Sequence, residues 1–205
     1  MSAILEQPTI DASPAPEVAL YRISTDEFYR MLEAEVFPDE ARLELWDGWI
    51  YEKMAKTQAH VVSGNKTQIV LFRVLPPTYF VGGENPITVG PARAPLPDLV
   101  VLQGIPDDYL DRRPVAADVG LVVELSLTSL KSDVGSKLGA YVRAGIPAYW
   151  VVNLIDGVVL VHSNPIPPEG RYASVATVKP GESFPFLLDG VPVALIAASD
   201  LLPAR

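Results

Sequence analysis

No cysteine occurs in the 205 residues, and histidine occurs only twice, as His60 and His162. The first absence removes disulfides, thiolate metal sites and a cysteine nucleophile, and accords with a reducing compartment. The second argues against a multi-histidine zinc site. There is no run of about 18 uninterrupted apolar residues, and the N-terminus MSAILEQPTIDASPAPEVAL lacks the basic start and long apolar stretch of a secretory signal. A soluble, cytoplasmic protein with no membrane partner is therefore expected. Basic residues are outnumbered as well: 16 Lys and Arg face 25 Asp and Glu, for a net charge of −9. Such a balance disfavours strong non-specific binding of nucleic acid, which depends on Lys and Arg displacing counterions from phosphate. The deficit is uneven, at −3 over residues 1–20, −4 over 21–60, 0 over 61–150 and −2 over 151–205.

What is present is material for one folded domain. At 49% apolar and 20% charged the composition is that of an ordinary globular chain. Residues 1–19 mix Pro, Ser, Ala and scattered acids without a period, which predicts a flexible acidic tail ahead of a domain over 20–205. STDEFYRMLEAE opens with a capping box, Ser24 with Glu27, and predicts an amphipathic helix ending before Pro38. RLELWDGWIYEKM alternates on both sides of Asp47-Gly48, the signature of a two-residue hairpin. A helix is expected from Thr57 to the Pro76-Pro77 stop, then β-like pieces near 78–81 and 86–89, and strands over 97–103 and 120–127 separated by a polar loop with room for one helical turn. SDVGSKLGAYVRAG predicts a helix closed by Gly145, followed by the strand AYWVVNL, a hairpin into VVLVHS, short strands near 171–178 and 183–187, and a short helix around 194–201. This order fits an α/β fold, a mixed sheet flanked by helices with an N-terminal hairpin.

An ionisable residue heads one of the apolar strands. Asp98 shares a strand face with Val100 and Leu102, and Glu124 shares one with Val122 and Ser126. If the two strands are neighbours, the acids converge, and a divalent cation such as Mg²⁺ relieves their repulsion. Asp133, Lys137 and Tyr141 follow at i, i+4 and i+8 on the next helix, from which Lys137 can reach back over the carboxylates.

Taken in order, the hairpin RLELWDGWIYEKM, the QAH with His60, Pro97-Asp98, VVELSLTS with Glu124, and SDVGSKLGAYVRAGIPAYWVVN with Lys137 resemble the Uma-type restriction endonuclease family, a group within the PD-(D/E)XK nuclease superfamily. The resemblance runs from Tyr21 to His162. It implies the restriction-endonuclease-like fold and hydrolysis of phosphodiester bonds by metal-activated water. DNA is the first expected substrate, RNA or another phosphodiester is not separable from it, and a homodimer would address two strands. It implies that Asp98 and Glu124, with the Leu125 carbonyl, ligate Mg²⁺ or Mn²⁺, that Glu44 is a further carboxylate there, and that Lys137 stabilises the transition state. Ser126 stands where the superfamily motif usually has Lys, a departure shared by the Uma-type group. ELSLTS replaces a more familiar Ser-Pro-Ser-Thr stretch, and Asn153 stands where Asp is common.

Each residue also has a plainer reading. Asp98 could be held by loop amides, Glu124 paired with Lys137 or an arginine, Lys137 solvated, and Glu44 turned outward. His60 reads more simply as a cap or packing residue than as a base. Ser126, Thr128 and Ser129 read as helix caps, and Trp46, Trp49 and Trp150 as core or interface. Lys53, Lys56, Lys66, Arg73, Lys131 and Arg143 read as solvated surface before they read as a phosphate track. The rival to an enzyme is an inactive nuclease-like binding or regulatory module.

Overall fold

A computed structural model describes residues 19–204. The tail expected over 1–19 therefore lies outside the described residues but for Ala19. Two apolar runs set the plan. VGLVVELS and AYWVVN form strands β5 (Val119–Ser126) and β6 (Ala148–Asn153), and every residue of both is buried. Strands apolar along their whole length must be covered on both faces, as parallel neighbours are. β5 and β6 are indeed parallel, with Val122 opposite Tyr149 and Glu124 opposite Val151, and a helical crossover joins them. Around this pair lie β3 (Tyr79–Gly82), β4 (Leu99–Gln103), β7 (Val158–Ile166) and β8 (Arg171–Val178), all antiparallel, giving a six-stranded mixed sheet in chain order.

The two faces carry different cores. Leu99, Val101, Leu121, Val123, Leu125, Trp150 and Val152 point to one side, where they meet Leu71 of α2 (Gln58–Val74) and Phe184, Phe186 and Ile196 of the hairpin β9 (Ser183–Leu188) and β10 (Val191–Ala197). Trp150 stacks edge-on against both Phe184 and Phe186 at about 5 Å between ring centres. Val100, Leu102, Val122, Tyr149 and Val151 point to the other side, against Tyr141 and Val142 of the crossover. That crossover runs α3 (Leu130–Ser132), a π-helical turn (Asp133–Lys137) and α4 (Leu138–Arg143), closed by Gly145 at φ +76°. A third, smaller cluster joins Phe28 and Tyr29 of α1 (Thr25–Glu33) to Leu43 and Leu45 of the hairpin β1 (Leu43–Trp46) and β2 (Trp49–Glu52).

Local signals explain the ends. The capping box at Ser24 and Glu27 closes in both directions, at 2.8 and 3.2 Å. Asp47 and Gly48 both take positive φ, 50° and 81°, as a type I′ hairpin turn requires. Three expectations need correction. Residues 194–201 are not helical: β10 pairs antiparallel with β9 through Asp189-Gly190, a second Asp-Gly turn with φ of 51° and 77°, and only Ala198–Asp200 coil into a 3₁₀ turn. The piece at 86–89 is no strand, since Thr88 makes a single bridge to Val115. The loop between β4 and β5 holds two 3₁₀ turns, Pro106–Tyr109 and Ala116–Asp118, instead of one helical turn. Among the described residues no helix is long and apolar enough to cross a membrane.

Candidate active site

The register of β4 against β5 decides where the acids go. Leu99 faces Val123 and Val100 faces Val122, so one step further Asp98, the residue just ahead of β4, lies opposite Glu124. Both side chains sit at the end of the Val100–Val122 face, where the apolar core gives way to a cleft of about 230 Å³. Glu124 is 1% exposed and Asp98 6%. Buried carboxylates need partners, and each has them. The Leu125 N–H donates to Asp98 Oδ2 at 2.9 Å, while Lys137 Nζ and the Tyr141 hydroxyl donate to Glu124 Oε1 at 3.1 and 3.0 Å. Lys53 Nζ lies between the acids, 3.0 Å from Asp98 Oδ1 and 3.5 Å from Glu124 Oε2.

The surrounding elements hold this centre. Lys137 ends the π-helical turn, a local widening that recurs at functional sites, and it also pairs with Asp133 at 3.5 Å and Glu44 at 3.9 Å. Asp133 is fully buried, taking hydrogen bonds from Ser126 and Ser129, both 2.5 Å, on Oδ2. Glu44 reaches in from β1 and accepts the Leu96 N–H at 3.3 Å. His60, in the first turn of α2, lines the cleft with its Nδ1 2.8 Å from Thr57 Oγ1. Arg42 spans the rim, with Nη2 2.6 Å from Glu84 and 3.9 Å from Asp98.

With this geometry in hand, a family model described as "Uma2: Putative restriction endonuclease" matches residues 25–195. The chain belongs to the Uma2 family. No curated protein matches it. Among solved structures, it resembles a crystal structure described as "a putative nuclease belonging to DUF820" from Anabaena variabilis ATCC 29413, with a TM-score of 0.67 at 18% identity, covering 87% of this chain and 97% of that one. At that identity the likeness establishes the shared fold.

The charges in this Uma2 centre are strongly coupled. Burial pushes Glu124 up to about 7, against the pull of Lys137 and Lys53. Burial also works against ionised Asp98, yet the Lys53 charge and the Leu125 N–H hold it below the ordinary carboxylate value. Both lysines are penalised by burial and still end raised: Lys137 through Glu124, Glu44 and Asp133, and Lys53 through Glu124 and Asp98. Burial drives the Tyr141 hydroxyl well above its usual range, with Glu124 adding to the effect, so it remains a donor. Burial lowers His60.

All seven residues singled out in the sequence lie in or beside one cleft. Glu124 and Lys137 meet directly, Asp98 is joined to Glu124 through Lys53, Glu44 touches Lys137, and His60 lines the cleft. Ser126 is set behind them, holding Asp133, and Leu125 contributes its amide to Asp98. The reading of Lys53 as solvated surface is overturned, since its side chain is 15% exposed and contacts both acids. The signal lay in the hairpin. The Asp47-Gly48 turn sets Glu44 opposite Tyr51, and continuing that register puts Arg42 opposite Lys53, on the face that carries Glu44. Lys56 and Lys66 are tied instead to Glu84 and to the carbonyls of Ser199 and Leu202.

Proposed function

We propose that this chain is a metal-dependent endonuclease of the PD-(D/E)XK type that hydrolyses phosphodiester bonds, with DNA as substrate and a homodimer addressing two strands. The observation that carries it is the opposition of Asp98 and Glu124 on neighbouring strands, each with one oxygen anchored and one turned to a shared gap, beside a helix lysine. The donors suit Mg²⁺ or Mn²⁺. Two carboxylates are hard oxygen ligands, the kind these ions take together with several waters. Leu125 turns its N–H to Asp98, and its carbonyl would be the further ligand of such an ion. When bound, such an ion polarises the scissile phosphate and makes its water a nucleophile.

The protein's own residues do the rest. Lys137 supplies a fixed positive charge for the developing phosphorane and orients the water. Tyr141 keeps Glu124 in place, Glu44 positions Lys137, and Asp133 with Ser126 anchors the lysine's turn. His60 lines the same cleft. A catalytically inactive binding module is the rival reading, and the ion pairs that already satisfy both acids favour it. Nicking of supercoiled plasmid separates the two. With Mg²⁺ or Mn²⁺ at low salt the wild type should nick, EDTA should stop it, and Asp98→Ala should be inert. A wild type that neither nicks nor binds Mn²⁺ would establish the module.

A further inference from the structure

Each acid of the pair has one oxygen committed to the protein. Asp98 Oδ2 takes the Leu125 amide, and Glu124 Oε1 takes Lys137 and Tyr141. The two remaining oxygens, Asp98 Oδ1 and Glu124 Oε2, converge on one position, and Lys53 Nζ stands there at 3.0 and 3.5 Å. The Leu96 carbonyl closes the group at 2.9 Å. Three oxygens about one ammonium form a cation site with a tethered occupant. The tether permits departure. Lys53 follows the last residue of β2, its backbone is fixed by an N–H bond to the Arg42 carbonyl at 2.7 Å, and its four-carbon stem leads toward the cleft beside exposed Met54.

We propose that Lys53 is the resident counter-ion of this site: its ammonium and a divalent cation are alternative occupants of the gap between Asp98 and Glu124, so that loading the site expels Lys53 into the cleft. The inference rests on the metal-dependent reading above and goes beyond it. Two buried carboxylates without a cation would repel each other and lose solvation, so Lys53 keeps the site assembled before loading. An ammonium and a dication compete for this gap, because both need Asp98 Oδ1 and Glu124 Oε2, and their mutual repulsion weakens any joint occupancy. Affinity for the ion is then set by competition with a tethered charge. The expelled ammonium joins Arg42 and Lys56 along the cleft wall, where it meets the phosphate backbone of a nucleic acid.

The test is calorimetric titration of the full chain with Mn²⁺, comparing wild type, Lys53→Met, Lys53→Gln and Asp98→Asn. Both Lys53 variants should bind at least about tenfold more tightly than wild type, and Asp98→Asn should not bind. A second readout needs no variant: acetylation of wild type by acetic anhydride, followed by mass spectrometry, should modify Lys53 several-fold faster with Mn²⁺ than with EDTA. Equal or weaker binding by the Lys53 variants, or Lys53 reactivity indifferent to Mn²⁺, would overturn the exchange and leave the nuclease reading standing. Absence of Mn²⁺ binding by wild type and both variants would overturn the metal reading and the exchange together.

Discussion

Glu124 is the most constrained acid of the centre, because burial opposes its charge while two lysines favour it. Its carboxyl is pushed from the ordinary 4.5 up to about 7. The folded chain thus holds this proton more tightly than the unfolded chain, and the stability it contributes is fully present below about 4.5 and lost as pH rises through about 7. Asp98, shifted downward, acts with the opposite sign and in a more acidic window, below its ordinary 3.8. Glu124→Gln should therefore flatten the neutral part of the profile. In urea titrations with EDTA, the unfolding free energy of wild type should fall between about pH 5 and pH 8 by about 3 kcal/mol more than that of the variant. Identical slopes would mean that Glu124 is ionised throughout.

At the scale of elements, the β1–β2 hairpin matters more to the site than its few residues suggest. It delivers Glu44, Arg42 and Lys53 from one face, and its position depends on Gly48, where a Cβ would lie 2.7 Å from Arg22 Cβ at φ +81°. Gly48→Ala should cost at least about 1 kcal/mol of stability. It should also slow plasmid nicking by more than the loss of folded protein accounts for, with nicking measured on the folded fraction from the same melts; a loss matching that fraction would confine the hairpin to a structural role. The π-helical turn plays the corresponding part on the other side, bringing buried Asp133 and Lys137 together ahead of α4.

Across the whole molecule the net charge is −9, while residues 61–150, which carry Asp98, Glu124 and Lys137, are balanced. Attraction to a phosphate backbone then rests on a few cations at the cleft, among them Arg42, Lys53 and Lys56. Nicking by wild type should fall steeply as salt rises from about 50 to 200 mM, with a log–log slope corresponding to a few phosphates rather than to a long basic track. A flat salt response would remove the backbone from the binding step. The sequence by itself determined what depends on neighbours along the chain. The capping box at Ser24, the Asp47-Gly48 turn, the alternation that puts Asp98 and Glu124 on definable faces, and the spacing of Asp133, Lys137 and Tyr141 are all local, because backbone geometry and side-chain period fix them. Tertiary structure decided the rest. Residues 194–201 had an apolar run that fits a helix or a strand equally, and pairing with β9 settled it as a strand as far as Ala197. Lys53 looked like any surface lysine until the fold brought Asp98 and Glu124, 45 and 71 residues away, against it. A charge acquires its meaning from what lies across space, and periodicity along the chain carries no record of that.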